Sequence, residues 1–91
     1  MAGVRLTYRT LLVLRALGSQ DAEAPGMSNR DVANAAGIAD QGQASKLLAR
    51  LSRHGLIVNE RSSAHRDGER NAWRLTERGM RVERAARRAG E

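Results

Sequence analysis

The sequence predicts a mainly α-helical domain with one small β-hairpin, an α+β chain in the order helix, helix, helix, strand, loop, strand, helix. Three observations lead there. The 91 residues contain no Phe, one Tyr and one Trp, so the core must be assembled from Leu, Val, Ile and Ala, which favours helices over a β-sandwich. Apolar residues recur at helical spacing in four segments. Two short stretches alternate like strands and flank a polar, basic loop. The chain makes a single domain over residues 1–91, because half of it would bury too little surface to fold alone.

The first helix is expected over residues 7–17 (TYRTLLVLRAL), with Thr7 as its N-cap. Leu11, Leu14 and Leu17 share a face, and Leu12, Val13 and Ala16 widen it. A stripe that broad calls for burial on two sides, within the fold or against a second subunit. Residues 18–26 (GSQDAEAPG) break the pattern, hold the only Pro and read as a linker. Ser28-Asn29-Arg30-Asp31 then opens a second helix over 28–36, with a capping side chain followed by an acid where the helix dipole favours one. That helix presents Val32, Ala35 and Ala36 to the core and stops at Gly37, with Ile38 following as an apolar plug. Asp40 and Gln43 have capping-box spacing and open a third helix over 40–54, closed by Gly55.

The third helix separates its faces. Ala44, Leu47, Leu48 and Leu51 fall at i, i+3, i+4 and i+7 and form the buried stripe. Opposite lie Gly42, Lys46, Ala49 and Arg53, flanked by Gln43, Ser45 and Arg50. A polar, basic face with small gaps is suited to lie in a nucleic-acid groove, although every amphipathic helix also needs a solvated side. The hairpin is expected over 56–75. Leu56-Ile57-Val58 forms one strand, Asn71–Leu75 the other, and Asn59–Arg70 (NERSSAHRDGER) the protruding loop, with Asp67-Gly68 as its turn pair. Thr76 caps a last helix over 77–89, whose apolar stripe is Val82, Ala85, Ala86 and Ala89. Leu47, Leu51, Ile57, Trp73 and Leu75 should pack together under the third helix, with Val32 and Ile38 closing one side.

The charge narrows the function. The net charge is +6, and residues 1–45 balance four Arg against four acids, so the whole excess lies in the second half. A clustered positive field suits a polyanion. A genome-wide preference for Arg over Lys would account for fifteen Arg against one Lys, but not for the asymmetry. The absence of Cys excludes a disulfide framework, thiolate zinc sites and thiol catalysis. His54 and His65 have no acid at metal-ligand spacing, and Ser62-Ser63 has no positioned base, so neither a metal, a cofactor nor an enzyme is expected. No apolar run approaches the roughly 18 residues that span a bilayer, and residues 1–6 lack the make-up of a signal peptide. A cytoplasmic location without membrane contact is therefore expected.

The order of elements resembles the winged helix-turn-helix domain of MarR-type transcriptional regulators. The resemblance rests on SNRDVANAAGIADQGQASKLLARLSRHGLI (28–57) and WRLTERG (73–79), and covers about residues 7–79. It implies that Gly37 lies in the tight turn, that residues 40–54 are the recognition helix, and that 59–70 are the wing. The expected function is sequence-specific binding of double-stranded DNA. Gln41, Gln43, Ser45, Lys46 and Arg50 would face base edges in the major groove, and Arg53 a phosphate. Ser28 and Asn29 would offer donors to a phosphate from a helix N-terminus, and Arg61, Arg66 and Arg70 would follow the backbone or enter the minor groove. MarR-type regulators are usually longer, with extra helices that build a dimer and often a ligand pocket. A homodimer through the terminal helices is expected here, and a small-molecule effector pocket is not. Two alternatives stay open: a winged helix that docks another protein, which would call for an apolar exposed face, and the DNA-binding portion of a larger regulator.

Overall fold

The computed structural model describes residues 7–21, 23, 26–60 and 71–89. They form α1 (Tyr8–Gly18), α2 (Asn29–Ala36), α3 (Gln41–Arg53), β1 (Ile57–Asn59), β2 (Trp73–Leu75) and α4 (Glu77–Ala89). The two strands pair antiparallel, with Ile57 opposite Leu75, Val58 opposite Arg74 and Asn59 opposite Trp73. This is the mainly helical fold with a small hairpin that the composition and periodicity predict.

Local chemistry sets the helix ends. Thr7 Oγ1 accepts from the Thr10 N–H at 3.2 Å and starts α1. Ser28 Oγ accepts from Asp31 N while the Asp31 carboxylate accepts from Ser28 N, a reciprocal capping box at the start of α2. A glycine in the left-handed region stops each of α2 and α3, Gly37 as the C-cap of α2 at φ +72° and Gly55, one residue past the His54 C-cap of α3, at φ +75°. In each case the next residue donates back into the helix, Ile38 N to Ala33 O at 2.8 Å and Leu56 N to Leu51 O at 3.0 Å. The paired motif turns Ile38 and Leu56 inward, to 6% and 0% exposure. Because Leu56 is still closing α3, β1 begins one residue later than its apolar run.

One core joins all the elements. Val13, Leu14 and Leu17 of α1 meet Val32, Ala33 and Ala36 of α2, the buried stripe of α3, and Leu56, Ile57, Trp73 and Leu75. The wide stripe of α1 is largely used within this fold, since Leu11, Leu12 and Ala16 are half-buried beside it. The segment after residues 18–26 adds a contact that its composition conceals. Met27 bridges Trp73 with N–H···O bonds of 3.1 and 2.8 Å, so β2 is flanked at Trp73 by Met27 as well as by β1.

Three expectations need correction. Ala35 is exposed and Ala33 takes the buried position on α2. Gln43 does not complete a capping box with Asp40; Asp40 caps α3 by accepting from Gly42 N and Gln43 N, and the Gln43 side-chain oxygen accepts from Arg9 instead. On α4 the buried positions are Gly79 and Glu83, with Val82 and Ala86 half-buried, whereas Ala85 and Ala89 are exposed. The reason is steric. Gly79 lies so close to the Leu56 carbonyl that no side chain fits between them, and this contact rotates the inward face of α4. Glu83 is carried inward with it and is paired with Arg87 at 3.3 Å.

Candidate nucleic-acid interface

The buried stripe of α3 holds the helix against the core and thereby fixes what its other side presents. Ala44, Leu47, Leu48 and Leu51 are 1 to 5% exposed, while Gln41, Gly42, Gln43, Ser45, Lys46, Ala49, Arg50 and Arg53 are all exposed. The six side chains expected to contact DNA from this helix therefore share one solvent-facing surface. An open groove of about 890 Å³ runs between that surface and the start of α1, lined by Thr7, Tyr8 and Arg9 on one element and by Gln43, Lys46, Leu47, Ala49, Arg50 and Arg53 on the other. Four cations thus share one concavity, an arrangement that attracts a polyanion.

Pairing elsewhere sharpens this field. Arg74 is bound to Glu60 at 2.6 Å, Arg81 to Glu77 at 3.5 Å and Arg87 to Glu83 at 3.3 Å. Of these, only the Arg81–Glu77 pair is exposed on both sides and of the kind that adds little stability. The consequence of all three is that acids of the second half are spent on β2 and α4, and among the described residues no carboxylate is paired with Lys46, Arg50 or Arg53.

Two of the reading positions are held by other elements. Arg9 of α1 donates to Gln43 Oε1 at 2.7 Å, across 34 positions of sequence. Asn29 of α2 donates to Ser45 Oγ at 3.1 Å. Arg9 and Tyr8 were not among the residues expected at the site, and no local signal marks them. Arg9 lies on the solvated side of α1, and only the packing of α1 against the rest of the fold brings it to α3.

The geometry alters the expected part of Ser28 and Asn29. Ser28 is 3% exposed and its hydroxyl is spent on the α2 cap. The Asn29 side chain is bound to Ser45, Asn71 and Trp73. Neither side chain is thus available to a phosphate in this arrangement. Arg61, Arg66 and Arg70 of the expected wing, with His65, lie outside the described residues. His54 forms the C-cap of α3. Among the described residues no three His, Cys, Asp or Glu side chains are grouped to hold a metal ion, and no helix is long and apolar enough to cross a membrane.

Comparison with known proteins agrees with this geometry. Residues 7–61 match the IclR helix-turn-helix domain. The PcaV transcriptional regulator from Streptomyces coelicolor is 34% identical with a TM-score of 0.69, over 85% of this chain and 52% of that one. The transcriptional repressor CouR, solved bound to a 23-mer DNA duplex, is 26% identical with a TM-score of 0.75, over 92% and 54%. A MarR family protein from Mycobacterium tuberculosis, solved with salicylic acid, is 25% identical with a TM-score of 0.61, over 92% and 59%. The chain spans about half the length of these regulators. No curated protein sequence matches it.

Proposed function

Since the chain belongs to the IclR helix-turn-helix domain family, we propose that it binds double-stranded DNA as a transcriptional regulator, with α3 lying in the major groove. The observation that carries this reading is the exposed face of α3, where Lys46, Arg50 and Arg53 stand with Gln41, Gln43 and Ser45 opposite a fully buried stripe. A helix fits the major groove, and amide, hydroxyl and cationic side chains match the donor and acceptor pattern of base edges. Gly42 and Ala49 leave room for the backbone to approach. Arg53, nearest the end of the helix, is assigned to a phosphate, as are the cations of residues 61–70.

Within this reading the chain is of the MarR type. Support comes from the 28–57 and 73–79 segments and from likeness to the Mycobacterium tuberculosis MarR family protein. It acts in the cytoplasm as a homodimer through its terminal helices, which puts two copies of α3 into successive major grooves about 34–36 Å apart on a near-palindromic site. It is a binding module, not an enzyme. The groove beside α3 is assigned to DNA, because the cations that line it belong to the recognition face.

Selection from a pool of random duplexes tests the proposal. The protein should enrich a two-fold-symmetric sequence, and its affinity should fall steeply with salt as phosphate counterions are released. Failure to bind any duplex in a salt-dependent way would move the assignment to a protein-docking winged helix. A 10 kDa-class monomer in sedimentation equilibrium with a half-site footprint would remove the dimer.

A further inference from the structure

Three asparagines lie in series between the hairpin and α3. The backbone N–H of Ala72 donates to Asn59 Oδ1 at 3.0 Å, and Asn59 Nδ2 donates to Asn71 Oδ1 at 2.8 Å. Asn71 Nδ2 donates in turn to Asn29 Oδ1 at 3.1 Å, and that oxygen also accepts from the Trp73 indole Nε1 at 2.6 Å. Finally Asn29 Nδ2 donates to Ser45 Oγ at 3.1 Å. An asparagine amide can turn end for end at little steric cost. Here both ends of the series forbid it, because a backbone N–H and an indole N–H are donors only. Every amide oxygen is turned toward a donor, so donation runs in one direction, from the strands outward to Ser45.

A serine hydroxyl has one proton and two lone pairs. Asn29 occupies one lone pair, and Ser45 is exposed on the solvent-facing side of α3, which leaves its proton and its second lone pair for a partner outside the domain. We infer that Ser45 meets the duplex as a hydrogen-bond donor to an acceptor atom, and that Asn29 and Trp73 are the positioning residues that favour this polarity. The acceptors a duplex offers are guanine N7 or O6, adenine N7, thymine O4, or a phosphate oxygen. The inference rests on the DNA-binding reading above and adds to it which way one position reads.

The test uses the full chain and the duplexes enriched by the parent. S45A should lose roughly two- to tenfold in affinity, the range of one hydrogen bond, and S45T should retain it. A loss confined to one base position assigns the acceptor to a base edge; an equal loss on all duplexes assigns it to a phosphate. N29D keeps an oxygen toward Trp73 but can only accept from Ser45, which turns the hydroxyl inward. Its added charge weakens every duplex alike. Over and above that, it should abolish the S45A effect, so that N29D and N29D/S45A behave identically. A second readout needs no DNA. Trp73 is the only Trp, and its single indole N–H resonance should move upfield in N29A as the bond is lost. An unmoved resonance, an S45A variant equal to the parent, or an S45A effect that survives N29D would each overturn the assignment while leaving DNA binding intact. A parent that enriches no duplex would overturn the DNA-binding reading itself, and the role of Ser45 with it.

Discussion

Replacing Gly79 by alanine adds one carbon to the third position of α4. That carbon would collide with the Leu56 carbonyl oxygen and lie 3.0 Å from its carbonyl carbon and 3.1 Å from Leu75 Cδ2. Carbon and oxygen normally approach no closer than about 3.3 Å, so the helix and the strand entrance must part. Little there can yield. The Leu56 oxygen accepts from Thr76 N at 3.0 Å, Thr76 Oγ1 donates to Gly55 O at 2.5 Å, and the same hydroxyl caps Gly79 N at 3.0 Å. Overpacking of this kind costs about 1–3 kcal/mol. Helix propensity works the other way and favours alanine by up to about 1 kcal/mol. The net expectation is a loss of about 1–2 kcal/mol, which in a domain of this size lowers Tm by roughly 5–15 °C. A thermal scan followed by circular dichroism measures it. A Tm equal to or above that of the parent would refute the seating of α4 on Leu56, because an uncrowded helical glycine gains from alanine.

Three further outcomes follow from the same packing and site. Leu48→Ala removes a side chain that is 1% exposed and should cost about 2–5 kcal/mol, read as a lower urea midpoint with unchanged slope; an unmoved midpoint would mean that the faces of α3 are reversed. Trp73, 7% exposed, should emit at short wavelength and resist acrylamide until the protein is unfolded, and a water-like spectrum in the native protein would contradict its place between Met27 and β1. Arg50→Ala should cost about 1–3 kcal/mol on the enriched duplex and much less on random DNA; equal losses on both would reduce α3 to an electrostatic anchor.

Most structural features that depend on residues within a few positions of one another were determined by the sequence itself; the side chain of Gln43, drawn off its expected local cap by Arg9, is the exception. The caps at Thr7, Ser28 and Asp40, the glycine stops at 37 and 55, and the apolar stripe of α3 are local. Each follows from hydrogen-bonding groups and a 3.6-residue period, and together they dictate which side of α3 meets solvent. The tertiary structure decided everything that needs two distant segments to touch. Whether Ala33 or Ala35 is buried depends on what α2 packs against, not on alanine. The inward face of α4 is set by a backbone contact at Gly79 and carries Glu83 into a half-apolar setting, which no hydrophobicity pattern assigns. Arg9 reaches Gln43 and Asn29 reaches Ser45 only because α1 and α2 pack beside α3. Asn29 shows the division most plainly. Its sequence position marks it as a helix-start donor, but folding brings Trp73 within 2.6 Å, and a donor-only indole then dictates which way its amide points.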